Sequence, residues 1–121
     1  MAKVLVVDDE TAIVMLLEYY LGSVGHSVSI VESPAESLSF LNREQFDVLV
    51  LDVIMRGTIN GLDLCRLVKS NPHLINTRVL MMSGAPEMED RAIEAGADAF
   101  LAKPFGLDEI GTHVSALLSA A

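Results

Sequence analysis

One cysteine is all that this 121-residue chain contains. Cys65 alone permits no internal disulfide, which fits a reducing cytoplasm. It lies between Leu64 and Leu67 in an expected helix, so a buried structural thiol is the reading rather than a reactive one. Basic residues are also scarce. Eight Lys and Arg face 17 Asp and Glu, for a net charge of −9. That balance argues against a direct nucleic-acid partner and fits simple solubility equally well. No apolar run reaches the roughly 18 residues of a membrane span, so no membrane association is expected. The N-terminus does not read as a signal peptide, because Lys3 leads straight into a short apolar run and then acids. No low-complexity tract is present and 51% of the residues are hydrophobic, which argues against disorder. His26, His73 and His113 have no ligand spacing with one another or with Cys65, and read as structural or solvated.

What the chain does contain is a series of short apolar runs, each ending on a polar group. Val4–Val7 runs into Asp8-Asp9-Glu10, Val48–Leu51 into Asp52, Val79–Met82 into Ser83, and Ala99–Ala102 into Lys103-Pro104-Phe105. With the first run as a strand, further strands are expected over Ser27–Val31, Val48–Asp52, Arg78–Ser83 and Ala99–Lys103. Helices are expected over about Thr11–Val24, Pro34–Asn42, Leu62–Ser70, Glu87–Ala95 and Leu107–Leu118. The first carries Ile13, Leu16, Leu17, Tyr20, Leu21 and Val24 at helical spacing. Ser33-Pro34-Ala35-Glu36 has the capping-box pattern, with proline at the first helical position. Gly96 is a candidate C-cap. Length supports one domain over residues 1–121 with a core of its own. Strands alternating with helices imply right-handed crossovers: an α/β fold, a doubly wound five-stranded parallel sheet with five helices on its two faces.

Such sheets place their ligand site beyond the carboxyl ends of the strands. That edge gathers Asp8, Asp9, Asp52, Ser83 and Lys103. Three carboxylates in one pocket need a cation, or one must take up a proton. Oxygen donors without Cys or His favour Mg²⁺, or Mn²⁺. Lys103 can supply fixed positive charge and Ser83 a hydroxyl to phosphoryl oxygens. The Lys103–Pro104 bond can be cis. Asp52, alone at its strand end, is then the best candidate for a carboxylate that takes a phosphoryl group. Each of these acids taken singly also reads as an ordinary turn or cap residue. Their collection at one edge is what points to a site.

The ordered set closely resembles the receiver domain of two-component response regulators. Its carriers are Val4–Glu10, Phe46–Asp52, Met55, Asn60-Gly61-Leu62, Ser83, Gly96–Phe100 and Lys103-Pro104-Phe105. The resemblance implies a flavodoxin-like (βα)5 fold with strand order 2-1-3-4-5. It implies Asp52 as phosphoacceptor, charged by a histidine kinase or phosphotransfer protein. It implies Asp9 as a direct Mg²⁺ ligand, Asp8 acting mostly through water, and the Ile54 carbonyl completing the metal site. Ser83 and Lys103 would hold phosphoryl oxygens, and Phe100 would be the switch aromatic, with a core aromatic as the alternative. Output would pass to a downstream target protein or a covalently linked effector domain, from a monomer or a weak phosphorylation-dependent dimer. The chain would catalyse its own phosphorylation and dephosphorylation, with no separate substrate turned over.

Two departures stand out. Arg56 occupies the position where the family usually has proline, and the loop from Arg56 to Asn60 carries one extra residue. Arg56 can tune metal or donor affinity, or form a docking contact, or simply be solvated. Ile54 and Ala85 are apolar where the family varies water access, which implies a long-lived phosphoryl group. Other classes fit poorly. An aspartate-nucleophile phosphatase would want an acid at Ile54, a serine hydrolase Gly-x-Ser-x-Gly around Ser83, and a dinucleotide site glycines at Asp8-Asp9-Glu10. A receiver-like scaffold that binds partners without phosphate is the remaining alternative.

Overall fold

The computed structural model describes residues 2–56 and 60–119. The extra residue expected between Arg56 and Asn60 falls on positions 57–59 and lies outside the described residues. The strands are β1 (Lys3–Val7), β2 (Ser27–Val31), β3 (Val48–Asp52), β4 (Arg78–Ser83) and β5 (Ala99–Ala102). The helices are α1 (Thr11–Ser23), α2 (Pro34–Arg43), α3 (Gly61–Ser70), α4 (Glu89–Glu94) and α5 (Leu107–Ser119). All strand pairs are parallel, in the order β2-β1-β3-β4-β5. The order reverses between β1 and β3, and a crevice opens there beyond the strand ends.

Strand alternation divides the core. Leu5, Val7, Leu49, Leu51, Val79 and Met81 face α2, α3 and α4. Val4, Val6, Val48, Val50, Leu80 and Met82 face α1 and α5. Every residue of β3 is buried, as a central strand covered on both faces requires. Cys65 is fully buried on α3, and burial pushes its thiol up to about 11. Among the described residues no helix is long and apolar enough to cross a membrane.

Local chemistry accounts for several boundaries. The Glu36 N–H donates to Ser33 Oγ at 3.3 Å, capping α2 with Pro34 in its first turn. The Glu36 carboxylate takes the Ser33 hydroxyl rather than the Ser33 N–H, so the cap differs from a full capping box. Gly96 closes α4 at φ +104°, a conformation glycine adopts without a Cβ penalty. The expected helix over Glu87–Ala95 is instead a 3-10 turn, Pro86–Met88, followed by the six residues of α4. On α1 the buried residues are Val14, Leu17 and Leu21, whereas Leu16 is exposed, as is Val24 just past the helix end, where the helix was expected to reach. Glu18 is the one charged residue in that helix, so its apolar pattern does not single out a face.

Among the described glycines, Gly61 has the tightest surroundings. A Cβ there would lie 2.1 Å from the Asp52 carbonyl oxygen and 2.9 Å from Val53 Cα. Its N–H donates to the Val53 carbonyl at 3.0 Å. Glycine therefore lets the start of α3 lie directly on the end of β3, which sets the backbone that carries Asp52.

Candidate functional site

Four strand ends build the site. Asp8 follows β1 and is fully buried. Asp52 ends β3 with 6% of its side chain exposed. Ser83 ends β4 and is buried, and Lys103 follows β5. Lys103 was expected as the last residue of β5. It lies just past it, its N–H still donating to the Ser83 carbonyl at 2.8 Å. The Lys103–Pro104 peptide is cis.

The ammonium of Lys103 sits among three carboxylates. It is 2.9 Å from Asp8 Oδ2, 2.9 Å from Glu10 Oε1 and 3.2 Å from Asp52 Oδ2. The second oxygen of Asp8 accepts the Glu10 N–H at 2.9 Å, and that of Asp52 accepts the Ile54 N–H at 3.4 Å. Ser83 Oγ accepts the Ala85 N–H at 3.0 Å. Glu10, Asp52, Ser83 and Lys103 line a cavity of about 520 Å³ whose wall also includes Ile13, Ile54, Ala85 and Pro104. Asp52 thus has one face against buried carboxylate and ammonium, and another toward an open, partly apolar space.

Burial raises the Asp52 carboxyl to about 6, and the Asp8 charge adds to the rise. The Lys103 charge and hydrogen bond oppose it without cancelling it. Burial works against the Lys103 ammonium, but its hydrogen bonds to Glu10 and Asp8 and the charges of Asp8 and Asp52 win, so its pKa lies above the ordinary lysine value. The cluster therefore carries more negative charge than one ammonium offsets. Oxygens of Asp8, Glu10 and Asp52 all lie within 4.8 Å of one another. An all-oxygen set with unrelieved negative charge suits a hard divalent cation, and these three residues can hold a metal ion.

Asp9 lies apart from that trio. Its Oδ2 accepts the backbone N–H of Arg56 at 2.6 Å. Glu10 was not assigned a part from sequence. Its position as a third consecutive acid after β1 was the available signal, but its use depends on Lys103, 93 residues away. Phe100 is partly buried and packs against the core that faces α2, α3 and α4. Ile54 is half-buried at the cavity edge.

The comparisons with known proteins show the family to which this fold belongs. Residues 4–115 match the model of the response regulator receiver domain. The chain belongs to the response regulator receiver domain family. This receiver domain is 34% identical to the response regulator MprA of Mycobacterium leprae, over 96% of the chain and 50% of that protein. It is 34% identical to PhoP of Bacillus subtilis, an alkaline phosphatase synthesis transcriptional regulatory protein, over 96% of the chain and 48% of that protein. The chain spans about half the length of these curated relatives. Among solved structures, the chemotaxis response regulator CheY4 of Vibrio cholerae superposes with a TM-score of 0.89 at 28% identity, covering 98% of this chain and 99% of that one. A response regulator from Thermotoga maritima gives 0.88 at 25% identity, covering 99% of both. The receiver fold and strand order expected from sequence are those found, and the relatives are regulators rather than substrate-turnover enzymes.

Proposed function

We propose that this receiver domain is a phosphorylation-activated switch of a two-component system, with Asp52 as its phosphoacceptor. The observation that carries the reading is the seat of Asp52: a buried carboxylate at the floor of an open cavity, with an ammonium 3.2 Å away and Ser83 on the same wall. The phosphodonor is a histidine kinase or phosphotransfer protein. An Asp52 oxygen attacks phosphorus as the bond to the donor imidazole nitrogen breaks, and the electron pair of that bond stays on the imidazole. The product is an aspartyl phosphate.

Each neighbour has a part in that step. Lys103 meets the charge on the phosphoryl oxygens, and to do so it turns from Asp8 and Glu10 toward the cavity. The Ser83 hydroxyl donates to a second phosphoryl oxygen. A bound Mg²⁺ supplies positive charge that lets anionic donor and anionic acceptor approach. Asp8, Asp9 and Asp52 would hold it with the Ile54 carbonyl, and Glu10 is placed to join them. At pH above about 6 Asp52 is ionised and ready to attack, and a cation extends that range downward.

Signal output requires two conformations whose balance the phosphoryl group shifts. Movement of Ser83 toward the phosphoryl group opens space for Phe100, whose ring lies on the adjacent strand. The surface of α4, β5 and α5 is then what a target protein or linked effector domain reads. The chain speeds its own phosphorylation without turning over a separate substrate, acts in the cytoplasm, and works as a monomer or as a weak dimer that phosphorylation favours.

Intact-mass analysis after incubation with acetyl phosphate and Mg²⁺ tests the reading. One phosphoryl adduct is expected. Its absence from the Asp52→Asn variant and from a metal-free sample is part of the expectation. An adduct in Asp52→Asn that matches the parent protein would refute the assignment.

A further inference from the structure

Arg56 lies beside the acidic cluster without joining its ion pairs. Its φ is +53°, a left-handed conformation that residues with side chains avoid. Its N–H donates to Asp9 Oδ2 at 2.6 Å. Proline, which the family usually carries here, can do neither. Its ring fixes φ near about −65°, and it has no N–H to give. The replacement of proline therefore introduces a donor aimed at one specific carboxylate.

The consequence falls on Asp9. Asp8, Glu10 and Asp52 have oxygens within 4.8 Å of one another, and Asp9 is not among them. Lys103 gathers those three acids, while the loop after β3 takes Asp9. We propose that Arg56 is a positioning residue whose backbone N–H parks Asp9 on the β3–α3 loop and lowers divalent-cation affinity. A cation that takes Asp9 Oδ2 as a ligand competes with that hydrogen bond. Cation binding is thereby coupled to the backbone at Arg56. The inference rests on the reading of Asp9 as a cation ligand in a phosphoacceptor site.

The side chain of Arg56 is not the operative group. Its guanidinium reaches Glu32 at 3.9 Å, and both side chains are more than 60% exposed. Such a pair holds little. Two substitutions separate backbone from side chain. Arg56→Gly removes the charge and keeps the N–H, and it adopts positive φ freely. Arg56→Pro removes the charge, the N–H and the left-handed conformation together.

Mg²⁺ affinity measured by calorimetry on the phosphate-free chain, alongside acetyl phosphate labelling, tests this. Arg56→Pro is expected to bind Mg²⁺ about tenfold more tightly than Arg56→Gly, the equivalent of one hydrogen bond to a charged group. In an Asp9→Asn background that difference disappears. A second readout uses the unaltered protein and does not depend on a folded proline variant. The Arg56 amide proton resonance, shifted by its carboxylate partner, is expected to move and exchange faster as Mg²⁺ saturates the site. Equal affinities of the two variants, or an Arg56 amide that Mg²⁺ leaves unchanged, would overturn the proposal while labelling at Asp52 leaves the phosphoacceptor reading standing. Absence of both Mg²⁺ binding and labelling in the unaltered protein would instead overturn that reading, and this inference with it.

Discussion

Replacing Asp52 with asparagine should make the metal-free protein more stable, although it removes an ion pair with Lys103. Burial and the charge of Asp8 raise the Asp52 carboxyl from 3.8 to about 6. The folded state therefore prefers the protonated form. Stabilisation by that proton is complete below about pH 3.8 and is lost as pH rises through about 6. Above pH 7 the folded protein carries the full cost of the ionised group. At 1.36 kcal/mol per unit, a rise of about two units corresponds to roughly 3 kcal/mol at most. The Asp52 side chain is 6% exposed, so solvent screening removes little of it. Relaxation around a new amide takes back part, leaving about 1–3 kcal/mol in favour of Asp52→Asn at pH 8. For a chain of this size that is roughly 4–12 °C in melting temperature. Thermal denaturation in EDTA at pH 8 and at pH 5 reads the effect. The variant should melt higher at pH 8, and its advantage should shrink at pH 5 and in saturating Mg²⁺. An Asp52→Asn protein that melts lower than the parent at pH 8, or an advantage that ignores pH, would refute the balance of forces assigned to the cluster.

Other perturbations follow from the same geometry. Lys103→Met leaves Asp8 and Asp52 buried without their cation, and should lower metal-free stability at pH 8 by about 1–3 kcal/mol in urea titration; the loss should fall at pH 5, where Asp52 takes up a proton. Gly61→Ala drives a Cβ to 2.1 Å from the Asp52 carbonyl oxygen, and should cost about 3 kcal/mol and slow acetyl phosphate labelling; a variant as stable and as reactive as the parent would contradict the close approach of α3 to β3. Ile54 and Ala85 present apolar surface to the cavity and orient no water, so the phosphoryl group should persist for minutes or longer, and Ile54→Asn should shorten its lifetime in a mass-spectrometric time course.

Much of this molecule can be read from its chain because its three central strands are buried on both faces. Ser27–Val31, Val48–Asp52 and Arg78–Ser83 have in the structure the bounds expected of them. The polar residues that end those runs mark the sheet edge where Asp8, Asp52, Ser83 and Lys103 meet. Helix α1 is less legible. With Glu18 its one charged residue, apolar side chains surround it, and Leu16 and Val24 look as core-like as Val14. The start of α4 is obscured by Pro86, after which the chain makes a 3-10 turn before the α-helix begins. Glu10 gains its contact from the reach of a lysine 93 residues away, which no local pattern encodes. Arg56 is visible in sequence as a missing proline. Its positive φ and its bond to Asp9 need the tertiary fold, because Asp9 lies 47 residues earlier.

The central claim is that Asp52 takes the phosphoryl group. Labelling with acetyl phosphate and Mg²⁺, reduction of the acyl phosphate with borohydride, and peptide mapping would test it most directly. The account predicts homoserine at position 52 and unmodified Asp8 and Asp9. Homoserine at another acid, or a labelled protein with position 52 untouched, would contradict it.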